Sequence, residues 1–413
     1  MIQKAWLKSV KGILHAPASK SVAQRAIAMA ALAKGTSAIW HAGDSDDVQA
    51  AIRAAGALGV KIERDEDRLL ITGGLRHTPQ SLDCGESGLG IRMFSAVAAT
   101  LEKEVVLVGS GSLAQRPMDM IEKSLKASGV KCKTHSGLLP VEVKGPYPGG
   151  THEIDGAISS QVLTGLLIAA PYAKATTEFM VKNLKSKPYI DVTCQMMKEF
   201  GVEVINNNHT EFTVPAPAHY KGREYVVEGD WSGAAFWLVA GAIGGEITMD
   251  NLLRNSAQAD KAIIEALVKC GATLSQDENS VSVKKATLEA FEFDATHCPD
   301  LFPPLVVLAA ACKGTTAIKG VSRLRVKESD RAMALQKEFG KLGIDISLEK
   351  DVMFVRGGKL KSAEVHSHHD HRIVMATAVS SLLADGPVTI HEAQAVNKSY
   401  PGFFKDMEIV RVV

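Results

Sequence analysis

The sequence lacks the features that are typical of membrane proteins, nucleic-acid-binding proteins and exported proteins. Its net charge is only +1, from 47 Lys and Arg against 46 Asp and Glu, so any anion site must be local. Its apolar runs, such as residues 26–33 and 305–312, are far shorter than a membrane span. Residues 1–12 lack the apolar stretch of a signal peptide. We therefore expect a cytoplasmic protein without a membrane or nucleic-acid partner.

Cysteine is sparse, and histidine is concentrated in one place. The six cysteines form no C-x-x-C pair, which is typical of free thiols in a reducing compartment. Four of the 13 histidines lie within residues 366–372, HSHHDHR. That run could suggest a metal site, but it has no HExxH-type spacing. We expect no metal and no organic cofactor.

One pattern recurs about every seventy residues, where a helix pattern ends in glycine and an alternating strand pattern follows. A glycine directly after a helix adopts the left-handed conformation that ends it. Alternating apolar and polar residues are typical of a half-buried strand. Recurrence at a fixed spacing predicts repeated structural units. The segments are ALGVKIE, ASGVKCK, EFGVEVI, KCGATLS and KLGIDIS, with glycines at 59, 129, 201, 271 and 343.

Six other helix patterns are rich in alanine and apolar on nearly every face, which is typical of buried helices. Each unit therefore has the predicted order strand, exposed helix, strand, strand, buried helix. The sixth unit stops after its exposed helix, while the chain begins with a strand that no helix precedes. We expect that N-terminal strand to complete the sixth unit. The patterns are SVAQRAIAMAALA, GLGIRMFSAVAATL, SSQVLTGLLIAAPYA, WSGAAFWLVAGAI, DLFPPLVVLAAAC and HRIVMATAVSSLLA.

The predicted fold class is α/β, with two domains of three βαββα-like units, in which sheets surround the buried Ala-rich helices. We expect the chain to cross between the domains near Gly12–Ile13 and near Tyr225–Glu228. One domain is then residues 13–226, and the other combines 1–12 with 227–413. A six-unit solenoid is the alternative, although solenoid repeats usually run about 20–50 residues.

The predicted starts of the buried helices are all polar. Ser and Asp are preferred N-caps, so capping is one interpretation of each start. A helix N-terminus is also a ready anion site, because its N–H groups are unpaired and its dipole is positive there. The starts are SKS (19–21), CGES (84–87), ISSQ (158–161), GDWS (229–232), HCPD (297–300) and HHDHR (368–372).

Cations near these starts favour the anion-binding interpretation. Lys20, Arg25, Arg92 and Arg372 each lie at a start or within its first two turns. A positive side chain in the first turn opposes the helix dipole unless an anion is present. Capping does not require these cations. Their recurrence predicts an anionic ligand held where helix starts converge.

Two further basic stretches extend this pattern. SLAQRP has Arg116 directly before a Pro-led helix, and RLRVKESDR has Lys327 and Arg331 four residues apart beside Glu328. A charge run of this kind is either a solvated helix face or a carboxylate set between cations. The second arrangement suits acid–base chemistry on a charged substrate.

Taken together, the motifs of this sequence resemble those of the EPSP synthase family (3-phosphoshikimate 1-carboxyvinyltransferases). The resemblance runs from about residue 15 to 404, and its specificity lies in the combination, because each motif alone is weak. The motifs, in family order, are PASKSVAQR, GSLAQRP, ISSQ, SKPYIDVT, VEGDWS, RVKESDR, DHR and NKSYPGFF.

The resemblance implies two domains of the inverse α/β-barrel type, each with threefold internal repetition, and an active site in the cleft between them. It implies that the 5-hydroxyl of shikimate 3-phosphate adds to C2 of phosphoenolpyruvate and that phosphate then leaves the tetrahedral intermediate. Catalysis would come from positioning, charge stabilisation and proton transfer. Both substrates are small multiply charged anions, the reaction needs no cofactor, and we expect a monomer.

The resemblance also implies residue roles. Lys20, Asp300 and Glu328 would be catalytic, with Asp300 near the attacking hydroxyl and Glu328 near the methylene. Tyr189 could instead be an aromatic plug in the SKPY loop, and Asp370 would be a helix cap or an orienting partner. Shikimate 3-phosphate would be bound by Lys20, Ser21, Arg25, Ser159, Ser160, Gln161, Ser186, Tyr189, Asp300, Arg323 and Lys327. Phosphoenolpyruvate would be bound by Lys20, Gly88, Arg116, Gln161, Arg331, His371, Arg372 and Lys398.

The sequence departs from the family pattern at four positions. Glu86 stands where the family usually has Asn, and it could turn away from the anion pocket or pair with Arg92. Gln24 and Arg323 each replace an Asn, and Arg323 could contact the substrate or be solvated. Ala18 replaces a Gly.

Three other functions remain open from the sequence. The sister transferase acting on UDP-N-acetylglucosamine has a Cys in the loop before its Arg-Pro pair, whereas residues 109–117 contain none. A non-catalytic protein that binds an anionic metabolite would not need Lys20, Asp300, Glu328 and Arg372 together. An RNA-end-modifying enzyme would favour a basic groove, which the net charge does not support.

Overall fold

The computed structural model describes residues 1–157 and 159–412, and the chain forms two compact units. We call Ala18–Val227 the continuous unit. The discontinuous unit combines Met1–Pro17 with Glu228–Val413. In the described residues no helix is long and apolar enough to cross a membrane.

The first boundary between the units lies five residues beyond the predicted one. The predicted crossing at Gly12–Ile13 falls inside a strand, Ser9–His15. That strand pairs in parallel with Gly245–Asp250, so its whole length belongs to the sheet of the discontinuous unit. The chain therefore enters the continuous unit only after Pro17.

The described part of the chain contains twelve α-helices, which alternate between buried and partly exposed. They are α1 (Lys20–Leu32), α2 (Asp46–Ala57), α3 (Gly88–Ala98), α4 (Asp119–Ala127), α5 (Ser160–Ala169), α6 (Lys187–Glu199), α7 (Trp231–Gly244), α8 (Ile263–Lys269), α9 (Phe302–Ala311), α10 (Arg331–Lys341), α11 (His371–Ser380) and α12 (Phe403–Val410).

The strands are short and form six separate sheets within the described residues. They are β1 (Ile2–Ala5), β2 (Ser9–His15), β3 (Thr36–Trp40), β4 (Lys61–Arg64), β5 (Arg68–Thr72), β6 (Ser81–Asp83), β7 (Val105–Val108), β8 (Lys131–His135), β9 (Leu138–Lys144), β10 (Gly150–Asp155), β11 (Thr177–Lys182), β12 (Ile205–Asn207), β13 (Glu211–Val214), β14 (Glu224–Val226), β15 (Gly245–Asp250), β16 (Thr273–Gln276), β17 (Ser280–Lys284), β18 (Glu292–Asp294), β19 (Thr315–Lys319), β20 (Ile346–Glu349), β21 (Val352–Arg356), β22 (Ala363–His366), β23 (Val388–His391) and β24 (Arg411–Val412).

Five of the six sheets in the described residues contain the same pairing pattern, as the repeat predicted, and the sixth has a three-stranded form of it. In the continuous unit the orders are β14-β3-β5-β4, β6-β7-β9-β8 and β10-β11-β13-β12. In each, the first pair is parallel and the other two pairs are antiparallel. The discontinuous unit has β18-β19-β21-β20, β16-β17-β15-β2-β24 and β1-β23-β22. Repetition of the sequence therefore corresponds to repetition of the sheet.

The predicted unit lacked one element. A short strand precedes α3, α5, α9 and α11, as β6 does before α3, and pairs in parallel with the strand that follows the helix. These strands are as short as three residues, such as Ser81–Asp83, and so leave no alternation to detect in the sequence. The observed order is therefore strand, helix, three strands, buried helix.

At each of the two points where the chain crosses between the units, the strand before the buried helix pairs with a strand of its own unit and not with the strand that follows the helix. Strand β2 precedes α1 but pairs with β15, and β14 precedes α7 but pairs with β3. Each unit thereby keeps its own sheet complete. The N-terminal strand β1 pairs antiparallel with β23 and completes the sixth sheet, which confirms its predicted place.

Glycines end the exposed helices as predicted. Gly59, Gly129, Gly201, Gly271 and Gly343 have φ angles of 81°, 75°, 94°, 84° and 90°. This left-handed region is open to glycine at little cost, and it stops the helix so that the next strand can begin.

The six alanine-rich helices form the cores of the units. Every residue of α3 and α7 is buried, α9 is buried from Phe302 to Ala310, and α1 is buried from Val22 onward. Small side chains let α3 pack on α1 and α5, and α7, α9 and α11 pack on one another. The fifth buried helix begins at Phe302 rather than at Asp300, because Pro299–Leu301 forms a 3₁₀ turn before it.

Candidate functional site

Side chains link the starts of the three buried helices in the continuous unit. The Oγ of Ser87, before α3, donates to Oε1 of Gln24 on α1 at 2.8 Å. Nη1 of Arg92 on α3 donates to Oε1 of Gln161 on α5 at 3.1 Å. The predicted convergence of helix starts is therefore present within this unit.

Arg25 lies fully buried and joins three helices. Its Nε donates to Oγ1 of Thr193 at 2.9 Å, and Nη2 donates to Oγ1 of Thr164 at 3.3 Å. Its other contacts are with the carbonyl oxygens of Ser21 at 2.8 Å and Tyr189 at 3.4 Å. Burial lowers the pKa of Arg25 to about 10, which leaves a charged guanidinium surrounded by neutral oxygens. The partners Thr164 and Thr193 carried no signal in the sequence.

Lys20 is held by a carboxylate that sequence reasoning missed. Its Nζ lies 2.9 Å from Oδ2 of Asp47, in the first turn of α2, and both side chains are largely buried. The only signal in the sequence was an acidic residue in the first turn of an exposed helix. Such residues are common there because they interact favourably with the helix dipole. Asp47 fixes the ammonium of Lys20 at the start of α1.

Gly88 sits against two guanidinium groups. A Cβ at this position would lie 2.5 Å from Nη1 of Arg116 and 2.9 Å from Nη1 of Arg92. Arg92 and Arg116 are both buried, and Nη1 of Arg92 also donates to the carbonyl of Gly88 at 2.9 Å. Glycine at the start of α3 therefore leaves room for a pair of cations.

Glu86 points to the loop before Arg116. Its Oε2 accepts hydrogen bonds from the backbone N–H of Ser112 at 3.0 Å and from Oγ of Ser112 at 3.1 Å. Gly111 has a φ of 55°, and a Cβ there would collide with the Glu86 carboxylate. This contact supports the first of the two predicted orientations, in which Glu86 turns to another partner.

Serines at two starts act as caps. Ser87 accepts from the N–H of Gly90 at 3.0 Å, and Ser159 accepts from the N–H of Gln161 at 3.2 Å. Ser160 begins α5 and is buried. The first residue of the ISSQ motif, at position 158, lies outside the described residues.

The SKPY segment starts an exposed helix. Ser186 is buried in a left-handed conformation, with φ of 53°, directly before α6. Tyr189 lies half-buried in the first turn of α6, and its carbonyl accepts from Arg25 and from Oγ1 of Thr193. Tyr189 is therefore a helical residue rather than a plug in a loop.

In the discontinuous unit, Arg331 joins three carboxylates. Its guanidinium is fully buried and donates to Asp300 at 2.7 Å, Glu328 at 2.7 Å and Asp370 at 2.9 Å. Burial disfavours the charge of Arg331, but Asp370, Glu328 and Asp300 outweigh burial and raise its pKa. Sequence reasoning expected Arg331 to bind a ligand, whereas its three donor nitrogens are engaged by protein carboxylates.

Asp300 lies among three cations. Its carboxylate is 3.1 Å from Lys327, 2.7 Å from Arg331 and 3.4 Å from Arg372. Burial alone would raise the pKa of Asp300, but the field of Arg372, Lys327 and Arg331 holds it well below its usual value. Asp300 is therefore ionised at neutral pH and acts as a hydrogen-bond acceptor.

Arg323 is buried and the side chain of Lys327 is only 18% exposed, so neither belongs to a solvated helix face. Arg323 is 8% exposed, in a 3₁₀ turn, Val321–Arg323, and burial lowers its pKa. Burial also lowers the pKa of Lys327, although Asp300 partly opposes this effect. This excludes the solvated alternative for Arg323.

The start of α11 carries the Asp-His-Arg motif. Asp370 caps the helix by accepting from the N–H of Arg372 at 2.9 Å, which confirms the predicted cap. His371 and Arg372 are both buried. Lys398, which ends a 3₁₀ helix at Ala393–Lys398, donates its Nζ to the carbonyl of His369 at 3.0 Å. Lys398 therefore lies beside the motif.

The start of α7 adds a buried carboxyl that the sequence did not single out. Asp230 caps α7 by accepting from the N–H of Ser232 at 2.8 Å, and Oγ of Ser232 donates to Asp260. Burial, with the nearby Asp300, raises the pKa of Asp260 to about 6 against the opposing effect of Arg372. Asp260 is therefore part of the same charge cluster.

Two groups of cations result, in which most side chains are buried and those of Lys20 and Lys327 are only slightly exposed. The continuous unit presents Lys20, Arg25, Arg92 and Arg116, and the discontinuous unit presents Lys327, Arg331, Arg372 and Lys398. In water-poor surroundings such groups bind anions far more strongly than exposed lysines do. Across the described ranges, no set of three or more His, Cys, Asp or Glu residues is arranged to hold a metal ion.

Comparisons with known proteins identify the family of this chain. The model of the EPSP synthase family (3-phosphoshikimate 1-carboxyvinyltransferase) matches residues 5–407. A 3-phosphoshikimate 1-carboxyvinyltransferase from Clostridium novyi (strain NT) is 38% identical over 414 residues, which covers 97% of this chain and 95% of the relative.

Solved structures show the same architecture. An EPSP synthase from Acinetobacter baumannii superposes with a TM-score of 0.84 at 28% identity, covering 100% of this chain and 99% of the other. The enolpyruvyl transferase NikO from Streptomyces tendae, at 15% identity and a TM-score of 0.80, covers 99% and 97% and shares the fold. The mixed α/β, two-domain class predicted from the sequence is therefore confirmed. On the family match and these identities together, the chain belongs to the EPSP synthase family.

Proposed function

We propose that this protein transfers the enolpyruvyl group of phosphoenolpyruvate to the 5-hydroxyl of shikimate 3-phosphate. The products are 5-enolpyruvylshikimate 3-phosphate and inorganic phosphate. The observation that carries the proposal is the presence of a mostly buried group of cations in each unit, combined with Asp300 and Glu328 within the second group. Two anionic substrates require such cations, and proton transfer requires the carboxylates.

The continuous unit supplies most of the proposed contacts to shikimate 3-phosphate. Serine hydroxyls and backbone N–H groups at the starts of α5 and α6 suit a phosphate group. Arg25 suits the ring carboxylate, because its burial leaves the guanidinium poorly solvated. The proposed set is Ser21, Arg25, Ser159, Ser160, Gln161, Ser186 and Tyr189, joined by Lys20 and, from the discontinuous unit, by Asp300, Arg323 and Lys327.

Phosphoenolpyruvate needs cations for both its phosphate and its carboxylate. Arg116, Arg372 and Lys398 are buried, so little solvent competes for their charges. Gly88 contributes by leaving room for the guanidinium of Arg116. Arg331 acts mainly by fixing Asp300 and Glu328, since all three of its donor nitrogens already face carboxylates. Lys20, Gln161 and His371 complete the proposed set.

Proton transfer accompanies each half of the reaction. In the addition, the 5-hydroxyl loses its proton to Asp300 as its oxygen bonds to C2, and C3 gains a proton and becomes a methyl group. In the elimination, the bond from C2 to the phosphate oxygen breaks, and Glu328 removes a proton from that methyl. Lys20 assists at the vinyl carbon as acid and stabilises the departing phosphate.

The electrostatics of the free protein fit these roles. Asp300 is ionised, so it is ready to accept a proton, but its low pKa makes it a weak base. Substrate anions would share the cations that now face Asp300 and its neighbouring carboxylates, and this would raise the basicity of Asp300 when the site is filled. Asp300 would thus become an effective base only when the substrates are bound.

The finer fold assignment is also part of the proposal. We assign both units to the inverse α/β-barrel type with three repeated units each. The shared sheet topology and the mutual packing of α7, α9 and α11 support this assignment. That the enzyme is a monomer in the cytoplasm stays a prediction.

The test is phosphate release by the purified protein. With shikimate 3-phosphate and phosphoenolpyruvate together we expect continuous release, and with either alone none. UDP-N-acetylglucosamine as the acceptor should give no release. Absence of release with the proposed pair would refute the proposal, and release with the nucleotide sugar would select the sister activity.

A further inference from the structure

The histidine run before α11 forms a constrained turn that the proposed reaction does not use. His366 ends β22, and Asp370 begins the cap of α11. His368 and His369, between them, have φ angles of 52° and 55°. Two consecutive non-glycine residues in the left-handed region are unfavourable, so other contacts must hold them there.

A buried carboxylate supplies the main contacts. Glu338, on α10, is fully buried and accepts from Nε2 of His368 at 2.7 Å and from the backbone N–H of His366 at 3.0 Å. Lys341 donates to the same carboxylate at 2.6 Å. Glu338 therefore binds two residues of the turn, His366 and His368, from inside the unit.

The turn also contains its own hydrogen bonds. The N–H of His368 donates to Nδ1 of His366 at 3.0 Å, and the N–H of His369 donates to Oγ of Ser367 at 3.1 Å. Glu392 lies 3.4 Å from Nε2 of His366 and 3.3 Å from Nε2 of His369. The imidazole rings thus act as donors and acceptors within one network.

This network extends to Lys398 and Arg372, two of the residues proposed to bind phosphoenolpyruvate. The carbonyl of His369 accepts from Nζ of Lys398 at 3.0 Å. The next residue, Asp370, caps α11 through the N–H of Arg372 and binds the buried Arg331. Movement of the turn would therefore displace Lys398 and Arg372 together.

We propose that Glu338 and His368 are positioning residues that fix the His366–His369 turn and thereby place Lys398 and Arg372 for phosphoenolpyruvate. This inference rests on the proposed function, because it takes Lys398 and Arg372 as ligands of that substrate. The histidine run then has a structural role, because the buried Glu338 binds the imidazole of His368 and the backbone N–H of His366 and so holds the turn in place.

The first test compares Michaelis constants for the two substrates. Glu338→Gln keeps the shape of the side chain but removes its charge, and His368→Asn removes the partner while tolerating a positive φ. Each should raise the KM for phosphoenolpyruvate about ten-fold with little change in the KM for shikimate 3-phosphate, because a small displacement of binding groups has a large effect. The double variant should be scarcely worse than either single one.

A matched control exists in the same sheet. Glu364, on β22, pairs with His391 on β23 at 3.1 Å, but both are exposed. Glu364→Gln breaks a His–Glu pair without touching the turn, so its KM values should equal those of the unaltered protein. If Glu338→Gln behaves like this control, or raises both KM values equally, the proposal is overturned.

A second measurement does not depend on catalysis. Reductive methylation with formaldehyde, quantified by mass spectrometry, reports how accessible the ammonium of Lys398 is. We expect methylation of Lys398 to become several-fold faster in Glu338→Gln and in His368→Asn, but not in Glu364→Gln. An unchanged rate would overturn the proposal even if the unaltered protein showed no turnover. Absence of turnover with faster methylation would refute the proposed function while retaining the role of the turn.

Discussion

Replacing Asp370 by asparagine removes one charge from the buried cluster around Arg331 while keeping a cap on α11. Asp370 accepts hydrogen bonds from Nε and Nη2 of Arg331 at 2.9 and 3.2 Å, and from the N–H of Arg372. Asparagine is as good a cap as aspartate. The substitution therefore removes the charge and one of the two acceptor oxygens, while the other oxygen can still cap the helix.

The magnitude follows from the neighbours that remain. Breaking a buried ion pair by removing one partner costs about 3–5 kcal/mol, because the other charge stays buried. Arg331 would still face Asp300 and Glu328, each at 2.7 Å. We therefore expect Asp370→Asn to lower the free energy of unfolding by about 3 kcal/mol, at the low end of that range.

The assay is urea unfolding followed by tryptophan fluorescence. Trp6, Trp231 and Trp237, three of the four tryptophans, belong to the discontinuous unit and report on it. Asp330→Asn is the control, because Asp330 caps α10 through the N–H of Met333 at 3.3 Å but is exposed. The control should change stability by less than about 0.5 kcal/mol. Equal losses in the two variants would refute the reasoning about the buried charge.

Four further outcomes are expected. Gly88→Ala should raise the KM for phosphoenolpyruvate in steady-state assays, because its Cβ would lie 2.5 Å from Nη1 of Arg116; an unchanged KM would contradict that crowding. Arg25→Lys should raise the KM for shikimate 3-phosphate and lower the unfolding free energy by about 2 kcal/mol, since lysine cannot keep all four hydrogen bonds; wild-type stability would argue against their importance. Glu328→Gln should keep both KM values and lower kcat about 10²–10⁴-fold, and an undiminished kcat would remove Glu328 from proton transfer. The stability deficit of Glu338→Gln should be complete above pH 4.5 and should vanish as the pH falls towards 2, because hydrogen bonds from His368 and Lys341 outweigh burial and lower the pKa of Glu338 from 4.5 to about 2; a deficit independent of pH would contradict this linkage.

The repeat made much of the fold predictable. Glycines such as Gly59 and Gly343 end exposed helices for a local steric reason that is visible in the sequence. The all-apolar composition of α7 and α9 likewise predicts burial without knowledge of the partner helices. The short strands before the buried helices were missed, because they are defined by pairing across the unit and not by a pattern of their own.

The cations near the helix starts could be identified from the sequence, but their contacts could not. Lys20, Arg25 and Arg372 could be identified from their unfavourable positions at helix starts. Their partners could not, since Asp47 and Thr164 come from other helices and have no distinctive spacing. Tertiary proximity alone reveals those contacts.

The structure also gives protein partners to two charged residues that the sequence placed near a ligand. Arg331 was expected to face a ligand, but its donors face three carboxylates. Glu86 had two possible orientations, and the N–H of Ser112 supports the one towards the loop before Arg116. In both cases a charged side chain forms hydrogen bonds within the protein. A sequence motif does not distinguish such a side chain from one that binds a substrate.

The most direct test of the central claim is to observe the product. Phosphorus and proton NMR of the unaltered protein with equimolar shikimate 3-phosphate and phosphoenolpyruvate should show both consumed together. Inorganic phosphate should appear in equal amount with a product that retains the 3-phosphate and carries a new enolpyruvyl ether. If phosphate appears without the ether, or if neither substrate is consumed, the proposed enolpyruvyl transfer is contradicted.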